Sequence, residues 1–202
     1  MKKLICMLVL SIGLFATQAS ATLITSLPGG AVEPMPVGLN YSGMGPQSFG
    51  SGITWTAASP SSLFSYNLGY GFSSNGVWDI NMAGTNDGGS AMTFSFNDAV
   101  DAVGGFINYA PGFGTPAIAV YDSNNNLIES AVLDFATAGY LNTGFFYGFQ
   151  EGSSIIKSFT LSGAYIGITD LTVTGSVMTP EPSTFLLLGA GLGGLALLRR
   201  RK

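Results

Sequence analysis

Met92-Thr93-Phe94-Ser95-Phe96 places a large apolar side chain at every second position and a small hydroxyl residue between each pair. A period of two belongs to a β-strand with one buried and one wet face. The pattern returns in Phe159-Thr160-Leu161-Ser162 and in Leu171-Thr172-Val173-Thr174. Further strands are expected at 53–57, 63–70, 77–83, 102–109, 117–121, 127–135 and 143–150, where short apolar or β-branched runs end in Gly, Ser or Asn. Asn86-Asp87-Gly88-Gly89 and Asp122-Ser123-Asn124-Asn125-Asn126 supply turn chemistry, because Asn and Gly tolerate positive φ. The chain therefore reads as all-β, a two-sheet antiparallel sandwich of jelly-roll type over residues 51–177. Residues 22–50, rich in proline and glycine, read as an irregular lead-in. The expected core holds Phe94, Phe96, Phe106, Ile118, Val120, Phe159, Leu161 and Val173.

Both ends carry address labels rather than fold. Lys2-Lys3, the apolar stretch Leu4 to Ala16 and the small residues of Ala19-Ser20-Ala21 form a signal peptide, 1–21, with cleavage expected between Ala21 and Thr22. At the other end, Pro180-Glu181-Pro182 precedes an uncharged run from Phe185 to Leu198 and the cations Arg199-Arg200-Arg201-Lys202. Proline cannot continue a helix, the run can enter a bilayer, and the cations stay on the cytoplasmic side. As a helix the run would cover only about 21 Å, short of the roughly 20 residues a permanent span wants. A permanent single-span anchor is the competing reading. Residues 178–202 resemble the PEP-CTERM sorting signal of Gram-negative bacteria. That resemblance implies recognition by an exosortase, processing near Pro180–Pro182, and transient residence in the inner membrane. A signal-peptide helix and a short C-terminal membrane helix are the expected elements outside the sandwich.

Removing the two signals exposes an acidic core. Residues 22–179 hold one cation, Lys157, against ten acids, a net charge of −9. Such a domain does not bind nucleic acid or anionic lipid through charge. The sole cysteine, Cys6, leaves with the signal peptide, so no disulfide braces the fold.

Within the core, Val103-Gly104-Gly105-Phe106-Ile107-Asn108-Tyr109, Ile118-Ala119-Val120-Tyr121-Asp122, Phe146-Tyr147-Gly148-Phe149 and Tyr165-Ile166-Gly167-Ile168-Thr169-Asp170-Leu171 resemble segments that recur in PEP-CTERM proteins. The resemblance implies a β-sandwich with a distant likeness to carbohydrate-binding modules, and assigns no ligand.

With no histidine, neither a Ser-His-Asp triad nor an imidazole zinc site can form. Ser-Lys catalysis would have to use Lys157, which also reads as a solvated strand lysine. Asp98 and Asp101 form the nearest carboxylate pair for glycoside hydrolysis, against a reading as turn residues. Asp122, Asn124 and Asn126 alternate as hard oxygen ligands for Ca²⁺ would, with Glu129 beyond, but the spacing suits a polar hairpin turn equally. A cation site using Asp79, Asp87 or Asp170 would have to be assembled by the fold. Trp55 and Trp78 lead the aromatic residues that could stack on sugar rings if exposed, with Tyr109, Tyr140, Phe145 and Tyr147 behind them; core packing is the alternative. The reading reached is an exported, non-catalytic surface or exopolysaccharide-matrix protein. The alternatives are a secreted carbohydrate-binding module and a carboxylate-dependent glycoside hydrolase. The expected partners are an exosortase-type enzyme, the inner membrane transiently, and an exopolysaccharide or cell-surface glycan. No cofactor is expected, with Ca²⁺ the one candidate ion.

Overall fold

The computed structural model describes residues 21–50 and 52–175. In chain order the strands are β1 (Thr22–Ile24), β2 (Ala31–Glu33), β3 (Tyr41–Ser42), β4 (Gln47–Phe49), β5 (Ile53–Ala57), β6 (Leu63–Tyr66), β7 (Tyr70–Gly71), β8 (Val77–Trp78), β9 (Met82–Gly84), β10 (Ala91–Asn108), β11 (Ala117–Tyr121), β12 (Leu127–Val132), β13 (Phe145–Gln150), β14 (Ile156–Ser162) and β15 (Gly167–Gly175). One short 3₁₀ turn, Ser73–Asn75, interrupts them. The all-β expectation holds. The expected signal-peptide and membrane helices lie outside the described residues.

The expected pair of separate sheets is replaced by one antiparallel sheet of 13 strands plus the small β7–β8 ribbon. β10 joins everything. Its first half pairs with β14 on one side and β5 on the other. Its second half pairs with β13 and β15. One wing therefore runs β4-β5-β10-β14-β11-β12. The other runs β1-β13-β10-β15, and β15 continues to β2 and to β9-β6-β3. Side chains of both wings meet in one core, with Met92, Phe94, Ile118, Phe159 and Leu161 from the first and Val103, Ile107, Phe149, Ile168 and Leu171 from the second.

A strand shared by two facing wings must present opposite faces to the core. Between Ser95 and Val100, β10 holds three residues more than β14 spans. Between Val100 and Ala102 it holds one more than β15. An odd excess exchanges the two faces of a strand. Even-numbered Met92, Phe94 and Phe96 point inward in the first wing, whereas odd-numbered Val103 and Ile107 do so in the second. Residues 97–101, read from sequence as a turn, are thus the passage between wings. The ammonium of Lys157 donates there, to the carbonyls of Phe96 at 3.0 Å and of Asn97. Those carbonyls lie where the β14 register is broken, so the lysine replaces missing ladder bonds. It is a strand lysine, but one with a structural task.

The face exchange corrects one core assignment. Phe106 lies on the outer face and is 44% exposed. Phe94, Phe96, Ile118, Val120, Phe159 and Leu161 are buried as expected, and Val173 is partly buried against the core. A second correction concerns residues 22–50. They are no irregular lead-in: β1 to β4 extend both wings. These strands have two or three residues each, too few for an alternation to show through the surrounding Pro and Gly. Where β10 and β13 run side by side, Gly104 faces Gly148. A Cβ on Gly148 would strike the Val103 carbonyl, so close backbone approach requires glycine there.

The exchange of faces is testable by truncation. Phe94→Ala is expected to cost about 3–5 kcal/mol in denaturant unfolding, as for a fully buried ring. Phe106→Ala is expected to cost less than about 1 kcal/mol. Equal losses at the two positions would contradict the exchange.

Candidate functional site

The outer face of the second wing is broken at one residue. Gly104 faces Thr172 and Phe106 faces Thr169, so β15 carries an extra residue between them. Asp170 sits in that bulge with φ 51°, a left-handed conformation for a non-glycine residue within a strand. Bulges re-aim side chains, and conformations of this kind collect at functional positions. Asp170 lines two adjoining clefts.

The first cleft, of about 550 Å³, is bounded by Trp78, Ile80, Phe106, Phe145, Asn142 and Thr169 with Asp170. Phe106 and Phe145 are each close to half exposed. Phe106 also packs edge-on against Phe146, with ring centroids 5.7 Å apart. The second cleft, of about 390 Å³, is bounded by Met35, Val37, Asn67, Asp79 and Asn81, and shares Ile80 and Asp170 with the first. The side-chain oxygen of Asn81 is buried and has no hydrogen-bond partner among the described residues.

The wall at 137–144 is held rigidly from beneath. Asn75 and Asn108, both buried, form a polar knot. The amide of Asn108 donates to the carbonyls of Asn75 and Thr143, each at 3.0 Å. Thr137 donates through its hydroxyl to the Asn75 carbonyl and through its N–H to the Asn75 side-chain oxygen. Asn142 accepts the N–H of Asp79 at 2.7 Å, tying the wall to the second cleft. A satisfied buried network of this kind preorganises the surface above it. The groove thus combines aromatic faces with a carboxylate and amides on a fixed frame. That set suits the C–H face and hydroxyls of a ring-shaped polyol.

Several residues expected at a site take other roles. Trp55 and Trp78 are both buried, which removes them as stacking platforms. Trp55 packs on Phe64 at 5.1 Å, inside the core. Trp78 packs on Phe72, donates its ring N–H to the Thr143 carbonyl at 2.6 Å, and contributes to the first cleft only as part of its lining. Tyr109 is buried and its hydroxyl bonds the main chain of Phe135, against which Tyr147 stacks. Tyr140 is exposed on the 137–144 wall.

Asp122, Asn124 and Asn126 form a turn. One carboxylate oxygen of Asp122 accepts the N–H groups of Asn124 and Asn126 at 2.8 Å, and the other accepts the Asn126 amide at 2.9 Å. The Asn126 side chain, followed by its N–H, holds the Asp122 carboxyl below the usual range. The geometry is that of an Asx-type turn. Asp87 likewise accepts the Gly89 N–H. Asp101 accepts the Ser154 hydroxyl, and Ser154 lines one cleft with Asp98 and Glu33. Asp79 and Asp170, distant in sequence, are brought to one cleft. Ala21 is buried at the head of β1. Ala19, Pro180, Glu181 and Pro182 lie outside the described residues.

Phe106, read from the sequence as core, and Asn81, which the sequence did not single out, both border the clefts. For Asp170 a signal existed: an acid inside Ile168-Thr169-Asp170-Leu171 breaks the alternation of its strand.

Two solved structures, both of fucose binding modules from Streptococcus pneumoniae, resemble part of the chain. One, SpX-3, gives 13% identity and a TM-score of 0.31 over 46% of this chain and 70% of the other. The second gives 12% identity and a TM-score of 0.30 over 46% and 69%. No curated protein matches the chain by sequence. At the C-terminus, residues 179–202 match the model of the PEP-CTERM protein-sorting motif, and the chain is therefore an exported protein that ends in a PEP-CTERM sorting signal.

Proposed function

We propose that the protein is a non-catalytic component of the cell surface or exopolysaccharide matrix, delivered through exosortase processing of its C-terminal signal. The sorting motif at residues 179–202 carries this reading. It begins four residues beyond Gly175, where β15 ends, so the folded domain is followed almost at once by the sorting sequence. The domain's net charge of −9 suits a solvated extracellular location and does not suit adhesion to anionic lipid.

A second reading, a glycan-binding module, is favoured by the groove at Asp170. Phe106 and Phe145 offer aromatic surface there, and Asp170 and Asn142 offer polar groups beside it. The two readings are compatible, since a matrix protein can be retained by the polysaccharide around it.

Replacing Pro180, Glu181 and Pro182 together by alanine is expected to leave an unprocessed, membrane-held chain in the exporting host. Mass spectrometry of the membrane and extracellular fractions reads the result, and normal maturation of the triple variant would contradict the sorting assignment. For the groove, Phe106→Ala and Asp170→Asn are each expected to weaken binding of the host's own exopolysaccharide about tenfold, or about 1.4 kcal/mol. Affinity electrophoresis measures this. Unchanged mobility shifts in both variants would remove the glycan reading.

A further inference from the structure

Glu151 stands in an unusual position. It follows β13 directly, is only 5% exposed, and neither of its carboxylate oxygens has a hydrogen-bond partner among the described residues. Burying an unpaired carboxylate is costly. Burial pushes the Glu151 carboxyl up, and the charge of Glu129 on β12 adds to the shift. The residue opposite on β10, Asp101, is also an acid, and its carbonyl accepts the Glu151 N–H at 2.7 Å. Lys157, the one basic side chain between residues 22 and 179, is engaged with the Phe96 and Asn97 carbonyls.

What lies opposite Glu151 on the other side of β13 is the head of β1. The two strands are antiparallel, with Thr22 facing Gln150, Leu23 facing Phe149 and Ile24 facing Gly148. The next position in that register sets Ala21 against Glu151. Directly opposed residues of an antiparallel pair lie about 4.5–5.5 Å apart at Cα. Cleavage between Ala21 and Thr22 converts the Thr22 amide N–H into an α-ammonium group at this place.

We propose that Glu151 is the receptor for the α-ammonium of Thr22 created by signal-peptide removal, so that processing itself creates the ion pair. The proposal rests on the export reading and on cleavage before Thr22. It makes processing a step in folding as well as in transport. Among the described residues this buried acid has no hydrogen-bond partner, and the processed chain supplies a charge for it from its own terminus. Because Ala21 is buried once β1 has docked, the peptidase must act before β1 joins β13. Export, cleavage and docking then follow in that order.

The test uses the mature protein recovered from the exporting host, as wild type and as Glu151→Gln. Mass spectrometry first reads the N-terminal residue. Competitive acetylation across a pH series then gives the titration midpoint of the α-amine, with Lys157 as internal reference. In the wild type the midpoint is expected at least about one pH unit above its ordinary value near 8, a tenfold change in proton affinity. In Glu151→Gln it is expected to return to the ordinary value. A second arm needs no variant: acetylating the wild-type α-amine is expected to lower the melting temperature. A mature chain beginning elsewhere than at Thr22 would overturn the proposal together with the cleavage reading beneath it. A chain beginning at Thr22 with an ordinary midpoint, or with a melting temperature indifferent to acetylation, would overturn the pairing alone.

Discussion

An 18-residue strand that belongs to two facing wings is the constraint on which the rest of this domain depends. Antiparallel neighbours take up both edges of β10 along both halves, so its main-chain groups are paired with four different strands. A strand that crosses from one wing to the other must exchange its inner and outer faces on the way. The surplus residues at 97–101 accomplish this, and they leave carbonyls without ladder partners. Lys157 meets that need. In a core whose other charged side chains are acids, the single cation is used to hold the passage and not to relieve the negative charge.

The candidate groove is a consequence of the same geometry. Once the faces have been exchanged, Phe106 points outward, over a sheet whose Gly104 and Gly148 keep β10 and β13 close. The bulge on β15 lies directly opposite this stretch and turns Asp170 toward the clefts. At the end of β10, Asn108 turns inward and anchors the 137–144 wall. Floor, carboxylate and wall are thus all positioned by the second half of β10 and its neighbours. The surface they build is fixed by hydrogen bonds beneath it, as recognition of a rigid ligand requires.

The alternation at 92–96 and 159–162 made those strands and the first-wing core legible, because a period of two survives wherever one face is wet. β5 and β11 fall at the bounds that composition suggests. The sorting signal was equally legible, since it is written as an ordered string of a motif, an apolar run and cations. What could not be read was any feature that depends on register. The excess at 97–101 is defined only against β14 and β15, so carrying the alternation past it turned Phe106 the wrong way. The pairing of Thr22 with Gln150, which sets the head of β1 beside Glu151, joins segments more than a hundred residues apart. Trp55 and Trp78 looked like sugar platforms because composition does not tell a buried ring from an exposed one. Asp79 and Asp170 meet only after folding.

If β10 joins both wings into one unit, the wings cannot open separately. Native-state hydrogen exchange of the mature protein in mild denaturant measures this at each paired amide of β10. The account predicts that amides in 91–96 and in 102–108 exchange through the same global opening, with equal free energies and equal denaturant dependence. Two distinct free energies, with one half exchanging through a smaller opening than the other, would contradict the single-unit structure on which the groove and the core both rest.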